Sequence, residues 1–177
     1  MTEYKKRERP SWDDYFIDLV LDTAERSSCL KRHVGALTVK DRRLLTTGYN
    51  GAPRDNIPCY DSGKCWRREQ NIAHGTNKDL CMAAHAEANA IAQAANQGIS
   101  LKGATLYVTT FPCTTCSHLL IPAGIVEVKY IMDYYGRHKK FAGTILKNAG
   151  IITRKIEIDS EKLARKHPTL KLVTDTE

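Results

Sequence analysis

Residues 104–132 read ATLYVTTFPCTTCSHLLIPAGIVEVKYIM. The two ends, Ala104–Thr109 and Val126–Met132, are short runs rich in β-branched residues and predict strands. Between them, Pro112 suits the opening of a helix, where its missing N–H costs nothing. That helix carries Cys113 and Cys116 on its first turns. Strand, helix and strand in succession predict an α/β architecture.

The alternation continues on both sides. Upstream, a helix is predicted from His85 to Asn96, with Ala86, Ala90 and Ala94 on one face and Gly98 as its stop. Before it, Val34–Val39 and Leu44–Tyr49 read as a hairpin turning at Asp41, Arg42 and Arg43. The first helix places Trp12, Tyr15, Phe16, Leu19, Val20 and Ala24 on one stripe, with Ser11 as cap, Asp13 and Asp14 at its positive end, and a stop near Ser27. Downstream, a helix over Lys139–Asn148 ends at Gly150 and a strand covers Ile151–Ile158. The pattern predicts one domain over residues 1–177, its core about 11–158, with a sheet sandwiched between helices. The polar tail beyond Ser160 carries no assignment. Asn50 to about Ala84 is a long irregular insert rich in Gly, Pro, Asn, Asp and Cys, of a length that is often functional.

The net charge of +7 suits an anionic partner such as a nucleotide, and equally an ordinary lysine-rich surface. The basic residues are scattered, so charge alone does not select RNA or DNA. No apolar run is long enough to cross a bilayer, and Met1–Pro10 is polar where a secretory signal would be apolar. A cytoplasmic protein without a membrane partner is expected. In that setting the six cysteines point to metal binding or reduced thiols rather than disulfides.

Two segments carry the chemistry, His85-Ala86-Glu87 and Pro112-Cys113-Thr114-Thr115-Cys116. Thiolates three residues apart at a helix start can reach one metal ion, and the helix terminus favours their charge. With His85 they make three ligands, leaving a fourth tetrahedral position for water, the pattern of catalytic rather than structural zinc. Zinc lowers the pKa of its water to roughly 7. Glu87, not a ligand, is placed to move that water's proton. A lone Cys-x-x-Cys also fits a redox pair or core thiols. The combination with His-x-Glu is the signature of zinc deaminases.

The sequence resembles the cytidine deaminase superfamily, and most closely its deoxycytidylate (dCMP) deaminase branch. The resemblance runs from about Trp12 to Gly150, through Arg26-Ser27-Ser28-Cys29, Val34-Gly35-Ala36, Gly48-Tyr49-Asn50-Gly51-Ala52-Pro53, both zinc segments and Ala123-Gly124-Ile125. It implies a three-layer α/β/α sandwich with a central mixed five-stranded sheet, and zinc-dependent hydrolysis of dCMP to dUMP and ammonia, with Glu87 protonating N3 and then the departing amine. It further implies that Asn50 bonds the sugar and Arg26 the 5′-phosphate, with Tyr135, or its neighbour Tyr134, at the phosphate or base end. Family members are commonly hexamers, activated by dCTP and inhibited by dTTP with Mg²⁺. Many carry a second zinc, for which Cys59, Cys65, His74 and Cys81 are the candidates here; reduced, partly buried thiols are the alternative. The rival functions are a tRNA adenosine deaminase, a free-cytidine or riboflavin-pathway deaminase, and a non-catalytic zinc-binding or DNA-uptake accessory protein.

Overall fold

A computed structural model describes residues 8–73, 76–77, 80–134 and 137–170. In chain order the elements are α1 (Trp12–Ala24), β1 (Gly35–Lys40), β2 (Arg43–Tyr49), the single turns α2 (Cys59–Ser62) and α3 (Trp66–Glu69), α4 (Ala86–Gln97), β3 (Thr105–Thr110), α5 (Thr114–Ala123), β4 (Glu127–Met132), α6 (Arg137–Asn148), β5 (Ile152–Lys155) and α7 (Ser160–Lys166). The five strands form one sheet in the order β2-β1-β3-β4-β5. β1 runs antiparallel to β2 and β3, whereas β3, β4 and β5 are parallel. The sheet is therefore mixed, as expected.

Period-two alternation sorts the strands into two cores. Ala36, Leu106, Val108, Val128 and Tyr130 pack with Ala86, Ala90 and Ala94 of α4, Leu120 of α5 and Leu146 of α6. Leu37, Val39, Tyr107 and Ile131 point the other way, against Phe16, Ile17, Val20 and Leu21 of α1. α1 forms with Ser11 Oγ accepting from the Asp14 N–H at 3.1 Å, but its buried face is Phe16, Ile17, Val20, Leu21 and Ala24 rather than the stripe as read: Trp12 and Tyr15, at the open first turn, are exposed and contact each other and Phe16 through their rings. Asp41 and Arg42 both adopt positive φ, 51° and 60°. They make the two-residue hairpin turn whose twist matches the flanking strands, and Arg43 already belongs to β2.

Boundaries shift where a side chain competes with the backbone. α1 stops at Ala24 rather than near Ser27, because the buried Ser27 hydroxyl bonds the carbonyls of Arg32 and Asn50 at 3.1 and 3.0 Å. The last strand ends at Lys155 and not Ile158, as its ladder with β4 closes at Tyr130–Lys155. The described part of the unassigned tail opens with α7. Leu163 packs on the α1 core, Lys166 pairs with Asp18 at 2.6 Å, and buried His167 meets Glu25 at 2.7 Å. Among the described residues no helix is long and apolar enough to cross a membrane.

Candidate metal centre and active site

Two helix starts converge at one end of the sheet. His85 is the N-cap of α4 and Cys113 the N-cap of α5, both with extended backbone. Cys113 therefore precedes its helix rather than riding on the first turn. Its sulfur faces the opening N–H groups and accepts from Cys116 N at 3.4 Å. His85 Nδ1 lies 3.4 Å from both the Cys113 and Cys116 sulfurs. All three ligand atoms fall within 4.8 Å of one another, a grouping that no other three such residues make among the described ones. Tetrahedral bonds of about 2.3 Å to sulfur and 2.0–2.1 Å to nitrogen set an N···S separation of about 3.6 Å. The donor set thus fits zinc in both type and spacing.

Electrostatics at the trio favour a cation. The Cys116 thiol, donating to the Cys113 sulfur, holds Cys113 far below the ordinary thiol range, and His85 and the Cys116 backbone N–H act in the same sense. Cys116 is raised by that same hydrogen bond, by burial and by Glu87. Two thiols thus share one proton that a bound metal would displace. Glu87, in the first turn of α4, is 4% exposed. Burial pushes its carboxyl up, His85 opposes the rise, and Cys113 adds to it. A buried carboxyl with raised proton affinity beside the metal ligands suits proton transfer.

The first turns of α4 are fastened to β2. Thr46 Oγ1 donates to Ala90 O at 3.0 Å and Asn89 Nδ2 to Tyr49 O at 2.8 Å. Gly48 makes the contact close, since a Cβ there would lie 2.2 Å from Ala86 O.

Residues 10–132 match the family profile described as the cytidine and deoxycytidylate deaminase zinc-binding region. The chain belongs to this deaminase family. A deoxycytidylate deaminase of Saccharomyces cerevisiae is 41% identical over 86% of the chain and 47% of its own length, so the chain spans about half of that relative. One of Mycobacterium phage D29 is 43% identical over 69% of the chain and 95% of its own length. Among solved structures, the dCMP deaminase of cyanophage S-TIM5 in complex with dCMP and dUMP superposes with a TM-score of 0.67, at 26% identity, over 85% of this chain and all of that one. The mixed sheet and flanking helices are the deaminase fold.

The other expected deaminase residues scatter in role. Asn50 is buried and organises the turn before β1. Its Oδ1 accepts from Val34 N at 2.8 Å and its Nδ2 donates to Arg32 O at 3.0 Å, leaving one amide N–H uncommitted by these bonds. The next residue, Gly51, pairs with Ala84 in an antiparallel bridge, which carries the Asn50 scaffold directly to His85. Arg26 lies exposed two residues past the end of α1. Tyr135 and His74 lie outside the described residues. Cys59, Cys65 and Cys81 bring no three ligand atoms together among the described ones. Burial pushes the Cys81 thiol up, with Cys29 and Cys59 as its electrostatic neighbours. Tyr134, the alternative to Tyr135, is partly buried against the core that α4, α5 and α6 share. Burial and Cys113 push its hydroxyl up to about 12, with Arg32 opposing. Arg32 was not singled out by the sequence. The only signal is the basic run Lys31-Arg32-His33 just before the first strand.

Proposed function

We propose that the chain hydrolyses dCMP to dUMP and ammonia in the cytoplasmic deoxynucleotide pool. The observation that carries this is the buried Glu87 carboxyl set against the His85, Cys113 and Cys116 ligand atoms. The deoxycytidylate deaminases among its relatives, and the dCMP- and dUMP-bound phage structure of the same fold, support the substrate. A zinc ion held by the trio supplies Lewis-acid activation of water at this point. Glu87 does the proton work. It takes one proton from the attacking water and passes it to ring N3 as C4 becomes tetrahedral, then takes the second from the new C4 hydroxyl and passes it to the amine, which leaves as ammonia as the C4–N4 bond breaks and the C4 carbonyl forms. Burial of the carboxyl excludes bulk water and keeps the proton on this path. The remaining N–H of Asn50 is the donor for the sugar, and the turn that begins at Arg26 receives the phosphate.

The test is ammonia release from dCMP, deoxycytidine, dCTP and a tRNA anticodon stem by zinc-loaded protein. Turnover of dCMP is expected, and turnover of the tRNA alone would refute the proposal. Glu87→Gln should abolish turnover while keeping its zinc, whereas His85→Ala should lose the metal. One zinc per chain is expected with the loop thiols reduced; two would assign Cys59, Cys65, His74 and Cys81 a metal of their own. Adding dCTP or dTTP with Mg²⁺ to the dCMP assay, and sizing the protein in the same buffer, tests the regulation and hexameric assembly common in the family.

A further inference from the structure

Three carboxylates follow one side of α1 at helical spacing, Asp18, Asp22 and Glu25. Like charges at that spacing repel, and carboxylates near a helix C-terminus oppose the helix dipole. The last turn of α1 holds no basic residue to offset them. The offset comes from the C-terminal segment. Lys166 Nζ meets Asp18 at 2.6 Å. His167 Nδ1 donates to Glu25 Oε1 at 2.7 Å, and its Nε2 lies 3.8 Å from Asp22. Leu163 and Leu170 close the contact against the apolar core beneath α1. His167 is buried although the residues on either side of it are exposed. Seven residues are too few to hold a helix in water, so α7 is either docked on α1 or unwound.

Glu25 caps α1 and stands next to Arg26. Arg26 N donates to Thr23 O at 3.1 Å and Ser27 N to Ala24 O at 3.0 Å, so both residues are wound onto the end of the helix. The Ser27 hydroxyl then holds Asn50 O at 3.0 Å and Arg32 O at 3.1 Å. Asn50 in turn bonds Val34 N and Arg32 O through its side chain. An unbroken path of short contacts therefore runs from His167 through Glu25 to Arg26 and Asn50. The metal end of the site is fastened separately, since α4 is bonded to β2 through Thr46 and Asn89. Loosening the end of α1 thus acts on the turn and spares the metal ligands.

We propose that α7 is a strap and His167 a positioning residue: docked on the acidic side of α1, they hold the turn from Arg26 to Asn50 in the form that receives the nucleotide. This rests on the deamination reading above, in which that turn meets sugar and phosphate. The rival role is stability alone, which would change unfolding and leave KM as it is. Coupling between two binding events is reciprocal. If docking of α7 favours dCMP, dCMP favours docking of α7.

The test uses the zinc-loaded full chain as wild type, His167→Ala, His167→Asn, Glu25→Ala and the double alanine variant. Each single alanine variant should raise KM for dCMP on the order of 10-fold, with kcat within about twofold and zinc content unchanged. The double variant should be no worse than either single one, because both remove the same contact. His167→Asn, whose amide N–H can replace the Nδ1 donor, should recover most of the loss. dCMP should also slow tryptic cleavage after Arg165 in wild type and not in His167→Ala. KM within about twofold of wild type in both single alanine variants overturns the strap. So do additive effects of the two substitutions, or a loss carried by kcat and zinc content. Glu25 is partly exposed, so Glu25→Ala reports even if His167→Ala fails to fold. Should wild type not turn over dCMP, the deamination reading fails by itself. The strap is then judged by amide hydrogen exchange. Faster exchange at Ser27, Val34 and Asn50 in Glu25→Ala, with β3 and β4 unchanged, supports it, and exchange equal to wild type overturns it.

Discussion

Replacing Gly48 with alanine places a methyl carbon 2.2 Å from Ala86 O and 2.5 Å from Ala90 N. Ordinary contact begins near 3.4 Å, so the first turns of α4 must retreat from β2 by about 1 Å. Those turns carry His85 and Glu87, while Cys113 and Cys116 belong to α5 and stay behind. Metal–ligand distances tolerate only about 0.2 Å. Misplacing a reacting group by about 1 Å costs on the order of 100-fold in rate. The bonds from Thr46 to Ala90 O and from Asn89 to Tyr49 O oppose the retreat, so part of the strain appears as lost stability of about 1–3 kcal/mol. The expected variant is folded, weaker for zinc in competition with a chelator, and about 100-fold slower with dCMP in kcat. Kinetics, a zinc-competition titration and urea unfolding measure the three effects. A Gly48→Ala protein with wild-type zinc affinity and kcat within about threefold would refute the claim that this contact sets the site geometry.

Gly143 makes the opposite case, because a Cβ there meets nothing nearer than Phe111 Cζ at 3.9 Å. Gly143→Ala, inside α6, should raise unfolding stability by about 0.5–1 kcal/mol in urea. Asp13 is partly desolvated, which raises its carboxyl, but the hydrogen bonds from Lys129 and Tyr107 prevail and hold it below its usual value. Its contribution is therefore present above the unfolded carboxylate pKa of about 3.9 and fades as pH falls through the depressed folded value. Urea midpoints of wild type and Asp13→Asn should differ at neutral pH and converge in acid, and a gap that widened in acid would contradict the assignment.

Much of the site is written in local sequence. The trio and Glu87 sit at helix starts, where short-range rules are strongest: Pro112 enters α5, Cys113 caps it, and His85 caps α4. The strands were legible because both faces of β1 and β3 are buried, leaving dense apolar runs. β5 blurred because all four of its residues are exposed, so no burial pattern marked its end. α7 carried no readable stripe because its anchors are a few long-range contacts, Leu163, Lys166 and His167 onto α1. Asn50 and Arg32 show a further limit. Residue type identified a polar turn, but the exchange of bonds among Ser27, Arg32, Val34 and Asn50 exists only once the hairpin has folded back on α1.

The bridge between Gly51 and Ala84 pinches the insert at its neck. A segment whose two ends meet in the native state behaves as a graft. Lengthening or shortening it alters closure entropy only logarithmically, about 0.6 kcal/mol per doubling. Natural selection can therefore exchange the whole insert for another without disturbing the residues on either side of its neck. Variation within this one segment would leave His85, Glu87, Cys113 and Cys116 together on the far side of the neck.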